Sequence, residues 1–470
     1  MSVRILDWLT PRSLKTIILG VAVASLALLG QTNVLSSISG AFNDKDVMVR
    51  WSSVLSGATR QAIPVTIIDV DDATLTKTGG GDRTPRDLVA ALVNLAAEKR
   101  AGGIVVDLDT SRPGPDPAAD KALIELVRDY PANAPMLMYA RRFVEANGKP
   151  PATELDLSPL RSILDDGAAS RRNVLGVSSV APLDGDRVIR RWQLSQTICD
   201  GATGDSFASP QLVALALREK GEAARTFVDS FLSARSAERC GGASNQAVWP
   251  RNPDANASIW FLFGANPSEA LITMIEADGA RVPLVRHIPA HTLVGADGRV
   301  APSRAISDQI FAGRIVVIGS SHLESFDSHI TPLGPMPGAF IIANSIASAA
   351  ATLSSVRIPP LARTMIAMAI FVLLVMITSQ LRALIAAIAV VCVMIVLLAL
   401  LGRMMTPSTA LNIAITSTAL LALFSGLNGL YETGDAWRRI GWRAILRHPP
   451  SSAAPQPAPR GSARPEEGQA

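Results

Sequence analysis

The sequence predicts an α/β domain, a mostly parallel sheet with flanking helices, joined to four transmembrane helices. Two observations predict it. Short, uniformly apolar runs such as "VTIIDV", "GIVVDLD" and "RIVVIGSS" alternate with amphipathic stretches, as buried parallel strands and their crossover helices do. Four further apolar runs of about 20 residues each match the thickness of a bilayer. The overall balance agrees: 48% of the 470 residues are hydrophobic and the mean hydropathy is +0.28, high for a purely soluble chain.

Taken in order, "PVTIIDVDDATL" from Pro64 is a buried strand ending in acidic residues. "TPRDLVAALVNLAAEKRAG" is a helix, with Thr84 suited to its N-cap, Pro85 to its first turn and Gly102 or Gly103 to its stop. "GIVVDLDTS" from Gly103 is a second strand, "PAADKALIELVRDY" from Pro117 a second helix and "APMLMYARR" from Ala134 a third strand. "NVLGVSSVAPL" and "RVIRRWQLS" predict paired strands around the turn at 184–186. Ser209 opens a helix, a short helix is expected near Ile306, "GRIVVIGSS" from Gly313 is a strand, and "GAFIIANSIASAAA" from Gly338 is a helix.

The apolar runs span 14–35, 361–380, 383–402 and 409–431. "AVA" at 22–24 resembles a signal-peptide cleavage site, but the apolar run continues past it, as in an uncleaved anchor. Arg4, Arg12 and Lys15 flank the first run, and Arg438, Arg439, Arg443 and Arg447 follow the last. The positive-inside rule therefore puts both residues 1–13 and the basic tail 432–470 in the cytoplasm, with the long segment 40–358 outside it. On a helix Arg439, Arg443 and Arg447 form one stripe able to meet an anionic leaflet or a partner; the same charges also serve as a plain anchor. Beyond Pro449 the tail is rich in Pro, Ala and Ser, a composition of disorder.

A net charge of only +4 and 5% aromatic residues argue against nucleic acid as a partner. No catalytic signature and no cofactor motif occurs, so neither an enzyme nor a bound cofactor is expected. Cys392 lies in an apolar run; Cys199 and Cys240 have no metal-type spacing. If their segment is outside the cytosol they are either bonded or free, and spacing does not decide which.

The block "IIDVDDATLTKTGGGDRTPRDLVAALVNLAAEKRAGGIVVDLD", with Asp71, Pro85, Arg86 and Asp107, resembles the opening pattern of the CHASE2 domain. "GRIVVIGSSHLESFDSHITPLGPMPGAFIIANSIAS", with Gly319, Asp327, Thr331, Pro332, Pro337, Gly338, Ala343 and Asn344, resembles its closing pattern. The chain departs from that family in having "GGGDRT" where a tryptophan-rich stretch is common, and Ile342 where a His is common. The resemblance implies an extracytoplasmic sensory module of a bacterial inner-membrane protein, a possible homodimer, and an output domain for which the tail has no room.

Asp69 and Asp71 share one strand face, and Asp107 and Asp109 another. On adjacent parallel strands these acids would meet at the carboxyl edge, where α/β sheets bind ligands. Asp71, Asp107, Asp109 and Asp327 are thus candidate ligand residues; helix capping and loop hydrogen bonds are the plain alternative. In "SSHLESFDSHITP" His322, Glu324, Asp327 and His329 cluster. The two histidines are candidate metal ligands by residue type, though their spacing fits no recognised metal pattern. The expected function is a membrane-anchored sensor that binds a small ligand or periplasmic protein and signals through a separate effector. A scaffold subunit of an envelope complex is the alternative; a transporter is disfavoured, because the apolar runs carry almost no charge.

Overall fold

The computed structural model describes residues 62–81, 83–110, 113–141, 143–144, 152–153, 160, 163–164, 173–183, 187–200, 203–239, 257–259, 274–277, 280–325, 327–354, 360–380, 383–404, 413–414, 416–418, 420–421 and 425. In chain order the strands begin with β1 Val65–Val70, β2 Gly103–Asp107, β3 Leu137–Arg141, β4 Phe143–Val144, β5 Ala152–Thr153 and β6 Val174–Ser178. They continue with β7 Arg191–Trp192, β8 Ser195–Asp200, β9 Thr203–Ala208, β10 Ala257–Ser258, β11 Met274–Ala277 and β12 Ala280–Pro283. The last are β13 Val285–Pro289, β14 Ile315–Ser320, β15 Ser328–Thr331 and β16 Gly334–Pro337. The helices are α1 Asp72–Thr78, α2 Arg86–Glu98, α3 Pro117–Arg128, α4 Pro210–Lys220, α5 Ala224–Arg239, α6 Gly338–Ser354, α7 Pro360–Gln380 and α8 Ala383–Met404.

Six strands form one sheet in the order β13-β1-β14-β2-β3-β6, and every pairing in it is parallel. All six residues of β1 and of β14 are buried, which is why these strands read as unbroken apolar runs rather than alternating ones. One face carries Ile68, Val106 and Ile318 and packs on α2 and α3. The other carries Ile67, Val105 and Val317 and packs on α4, α5 and α6. Each such side chain taken from water contributes about 1.5–3 kcal/mol, so the two faces together dominate the domain's stability.

Several expectations are corrected. Pro85, not Thr84, precedes the first residue of α2, and that helix has no side-chain cap. Its exit is turned by Arg100 at φ 56. Gly102 instead serves a close approach, for a Cβ there would lie 2.9 Å from the Gly313 carbonyl. "NVLGVSSVAPL" becomes β6, a parallel edge strand, and only an isolated bridge, Leu183 to Ile189, links it to the next segment. The strong hairpin is β8–β9, a pairing the sequence does not announce. Near Ile306 only two short 3-10 turns form, Ser303–Ala305 and Asp308–Ile310. Ser209 does cap α4, accepting from the Leu212 amide at 3.2 Å.

The chain divides into two units, one of them Ser39–Pro359 with Val393–Asn412, which holds the sheet. In the other, the hydroxyl of Ser417 donates to the Ala367 carbonyl of α7 at 3.1 Å, and Ala367, Ile370, Phe371 and Leu374 are buried. Among the described residues, no helix is long and apolar enough to cross a membrane; α7 and α8 each contain positions whose side chains lie outside that description. The first expected span, most of the last, the basic tail with Arg439, Arg443 and Arg447, and Cys240 lie outside the described residues, as does the side chain of Cys199.

Candidate site at the carboxyl edge of the sheet

Strands β1 and β2 send the chain onto the face of α2 and α3, whereas β14, which lies between them, leads to α6 on the opposite face. Neighbouring strands whose connections part in this way open a crevice at their carboxyl ends. Here Asp69, Gly319 and Asp107 stand in one row across β1, β14 and β2. By the alternation of strand side chains all three face α6. The acids are therefore not on adjacent strands as the sequence suggests; a glycine strand separates them.

That glycine is required. A Cβ on Gly319 would lie 2.3 Å from the Ala339 side chain of α6. The helix thus rests its first turn on bare backbone between two carboxylates. A third carboxylate holds the same turn: the amide of Gly338, first residue of α6, donates to the Asp327 carbonyl at 3.0 Å and to its Oδ2 at 3.1 Å. Gly338 is itself pressed against this group, with a would-be Cβ 2.4 Å from Oδ2. A helix of 17 residues presents partial positive charge at this end, which carboxylates stabilise.

Histidines complete the arrangement, and four of the chain's five lie in the segments around this edge. His287 Nε2 is 3.0 Å from Asp69 Oδ2, which also accepts from the Ser321 hydroxyl at 2.7 Å. The His287 ring lies 5.1 Å from that of Phe340 on α6, tilted by 49°. The other oxygen of Asp69, Oδ1, is buried and has no hydrogen-bond partner among the described residues. His329 Nε2 is 2.9 Å from Asp327 Oδ1. His291 Nδ1 lies 3.1 Å from Asp71 Oδ2, and Asp71 Oδ1 accepts from the Thr74 amide at 2.8 Å.

Electrostatics divide these acids into two kinds. Burial, reinforced by the charge of Asp327, pushes Asp107 up to about 7, against the opposing pull of His329 and a hydrogen bond with Ser179. The hydrogen bond to Asp327 raises His329 above its ordinary value; burial works against it, and the charges of Asp327 and Asp107 add to it. For Asp71 burial acts upward, but hydrogen bonds from Thr74 and His291 outweigh it and hold the carboxyl below its ordinary range. Asp107 therefore changes charge near neutrality and His329 above its ordinary 6.5, whereas Asp71 does so below its ordinary range.

The remaining sequence candidates do structural work. Asp71 caps α1. Asp109 is exposed, and its carbonyl accepts from Arg86 at 3.1 Å. Arg86, buried at the start of α2, lies 3.6 Å from Asp120. Thr331 closes the β15–β16 turn around buried Pro332, donating to Gly334 at 2.7 Å and accepting from the Leu333 amide. Asn344 is fully buried and bonds back to the Phe340 carbonyl at 2.9 Å. His322 is buried beside the end of β14; among the described residues no three acidic, histidine or cysteine side chains converge as a metal site would. His287 and His291 escaped sequence reasoning. The signal available was their placement: each falls at or just after an apolar strand, where a parallel sheet puts its ligand edge.

The CHASE2 domain family matches residues 18–379. No curated protein and no solved structure gives a match.

Proposed function

The chain belongs to the CHASE2 family, an extracellular sensory domain family, and from that premise we propose that it is a sensor whose signal is the seating of α6. One observation carries the reading. Asp327, Asp69 and Asp107 gather where the first turn of α6 meets Gly319, so whatever binds or recharges this crevice acts on that helix directly. In chain order α6 is followed, after residues 355–359, by α7. The stimulus is a small ligand or a periplasmic protein at the crevice, and the output passes through the C-terminal helices to a separate effector polypeptide.

The same proposal holds the domain on the outer side of a bacterial inner membrane, with both ends of the chain cytoplasmic. Its support is the four apolar runs and their basic flanks. The lengths of α7 and α8 add to this: 21 and 22 residues, or about 30 Å at 1.5 Å per residue. Large apolar side chains stand exposed along each, among them Leu361, Met365 and Met376 on α7 and Ile388, Val391 and Ile395 on α8, as lipid-facing residues do. Two measurements test the proposal. Alkaline phosphatase fused near Asp200 is expected to be active, and an inactive fusion would overturn the orientation. Affinity purification of the full chain from membranes is expected to recover a partner whose yield changes in Gly319→Ala, where α6 is unseated. Equal recovery from both chains would sink the coupling.

A further inference from the structure

The crevice also holds Asp107, whose carboxyl is pushed up by burial and by the charge of Asp327 against the pull of His329. It ends β2, the second strand from β1, at the bottom of the opening. Among the described residues, the following groups lie around it. From the β15 segment come Asp327 and His329, and from the end of β6 comes the hydroxyl of Ser179. Across the glycine of β14 stands Asp69, bonded to His287 and Ser321. From α6, Ala339, which has no charge, lies against the neighbouring Gly319. On β3, Tyr139 donates its hydroxyl to Thr110 at 2.9 Å, and Arg141 is drawn over the Phe207 ring, 4.8 Å from its centroid. Asp109, two residues on, is exposed.

Asp327 cannot swing away from Asp107 at low cost. One of its oxygens holds the first amide of α6 and the other holds His329. Ionising Asp107 therefore sets a second negative charge against a carboxylate that is fixed on the helix it anchors. The charge of Asp327 disfavours the charged form of Asp107, and the strain is relieved by moving Asp327, and with it the start of α6.

We propose that the stimulus read by this crevice is the proton: Asp107, in register with Gly319 under the start of α6, and His329, bonded to the Asp327 carboxylate that anchors Gly338, hold α6 seated when protonated and loosen it when they lose their protons. The inference rests on the sensor reading above and names its ligand. The direction follows from the shifts. Asp107 has its pKa raised on folding, from 3.8 to about 7. The stability it contributes is fully present below 3.8, declines above it and is lost as the pH passes through about 7. The pKa of His329 is also raised on folding, so its contribution is full below 6.5 and is lost as the pH climbs past its folded value. Both groups thus favour the seated helix in acid and release it on the alkaline side. Asp71, shifted the other way, takes no part between pH 5 and 8.

Hydrogen exchange of the full chain in lipid nanodiscs, scaled for the intrinsic pH dependence of exchange, tests this. Peptides from the first two turns of α6 are expected to lose protection between pH 5.5 and 8.5, by about tenfold or more, the change expected of a pKa shift of at least one unit. Peptides from α2 serve as the unmoved reference. Asp107→Asn should shrink this loss, leaving only the part that His329 contributes as it gives up its proton. Should that variant fail to fold, His329→Gln carries the test: without the imidazolium that lowers Asp107, the midpoint rises. A flat wild-type profile, or an unchanged midpoint in either variant, overturns the proposal. If the profile is flat while a small molecule or periplasmic protein at constant pH still changes α6 protection, the proton is wrong and the sensor stands. If neither moves it, both fall.

Discussion

The two edges of the central sheet are built from the same strands to opposite ends. At the amino edge Arg314 is buried, and its guanidinium donates to the carbonyls of Val65, Pro283 and Leu284 at 2.7, 2.9 and 2.8 Å and to the Thr66 hydroxyl at 2.9 Å. Burial, with Arg286 nearby, lowers its pKa only to about 10, so it stays charged at any physiological pH. At the carboxyl edge the fixed cation is replaced by Asp107, raised to about 7, and His329, raised above its ordinary value, and one carboxylate oxygen, on Asp69, lacks a partner among the described residues. The amino edge closes every strand end it touches; the carboxyl edge leaves its helix contact conditional. A sheet can be rigid and responsive at once if these properties are kept some five residues apart along each strand.

The largest break in this contrast is Arg314→Met. It keeps much of the stem's volume but removes the buried guanidinium that three carbonyls share, of which that of Leu284 also accepts from the Val65 amide at 2.9 Å; the loss should cost ~3–5 kcal/mol. Thermal unfolding of the full chain is expected to show this loss equally at pH 6 and pH 8. A loss confined to one pH would mean that the amino edge also titrates. Next in size is Gly319→Ala, whose methyl meets Ala339 head-on. Overpacking of this kind costs ~1–3 kcal/mol. The change should appear first as faster exchange in α6, with α2 little affected, and a uniform loss across both would show that α6 has no independent seating.

Much of the fold was legible because burial on both faces leaves an unmistakable mark. β1, β2, β14, α2, α3, α4 and α6 all follow from apolar runs and helical periodicity. The strand order was not legible. Nothing local tells "RIVVIGSS" that it inserts between β1 and β2, and that insertion separates Asp69 from Asp107. Likewise the β8–β9 hairpin, "SQTICD" and "TGDSFA", has little apolar content to advertise it. At the site the acids were visible as strand ends, but their meaning was not. Asp71 caps α1, an ordinary task, while Asp327 became central only through Gly338, 11 residues later. His287, unlike His322 and His329, was missed because it and Asp69 are 218 residues apart, and only a parallel register brings them together.

Two smaller effects sharpen the comparison within the carboxyl edge itself. Asp327→Asn keeps an acceptor for the Gly338 amide but removes the charge at the helix start, at a cost of ~1 kcal/mol at neutral pH. Because Asp327 is one of the groups that raise Asp107, the pH at which α6 loosens should also fall. An unaltered midpoint would show that the two carboxylates do not feel each other.

Asp71→Asn makes the smallest change and the clearest control. The amide can still accept from Thr74, so only the charged part of the cap is lost, ~0.5 kcal/mol. Asp71 has its pKa lowered in the fold, so the stability it adds is present above its ordinary value of 3.8 and disappears as the pH falls through its folded value. The difference between wild type and variant should thus be constant from pH 5 to 8 and close below pH 4, as urea titrations at each pH would show. The pH profile of α6 should be the same in both. If Asp71→Asn moved that profile, the carboxyl edge would be one coupled network of acids, and the separation of a fixed cap at α1 from a titrating seat at α6 would fail.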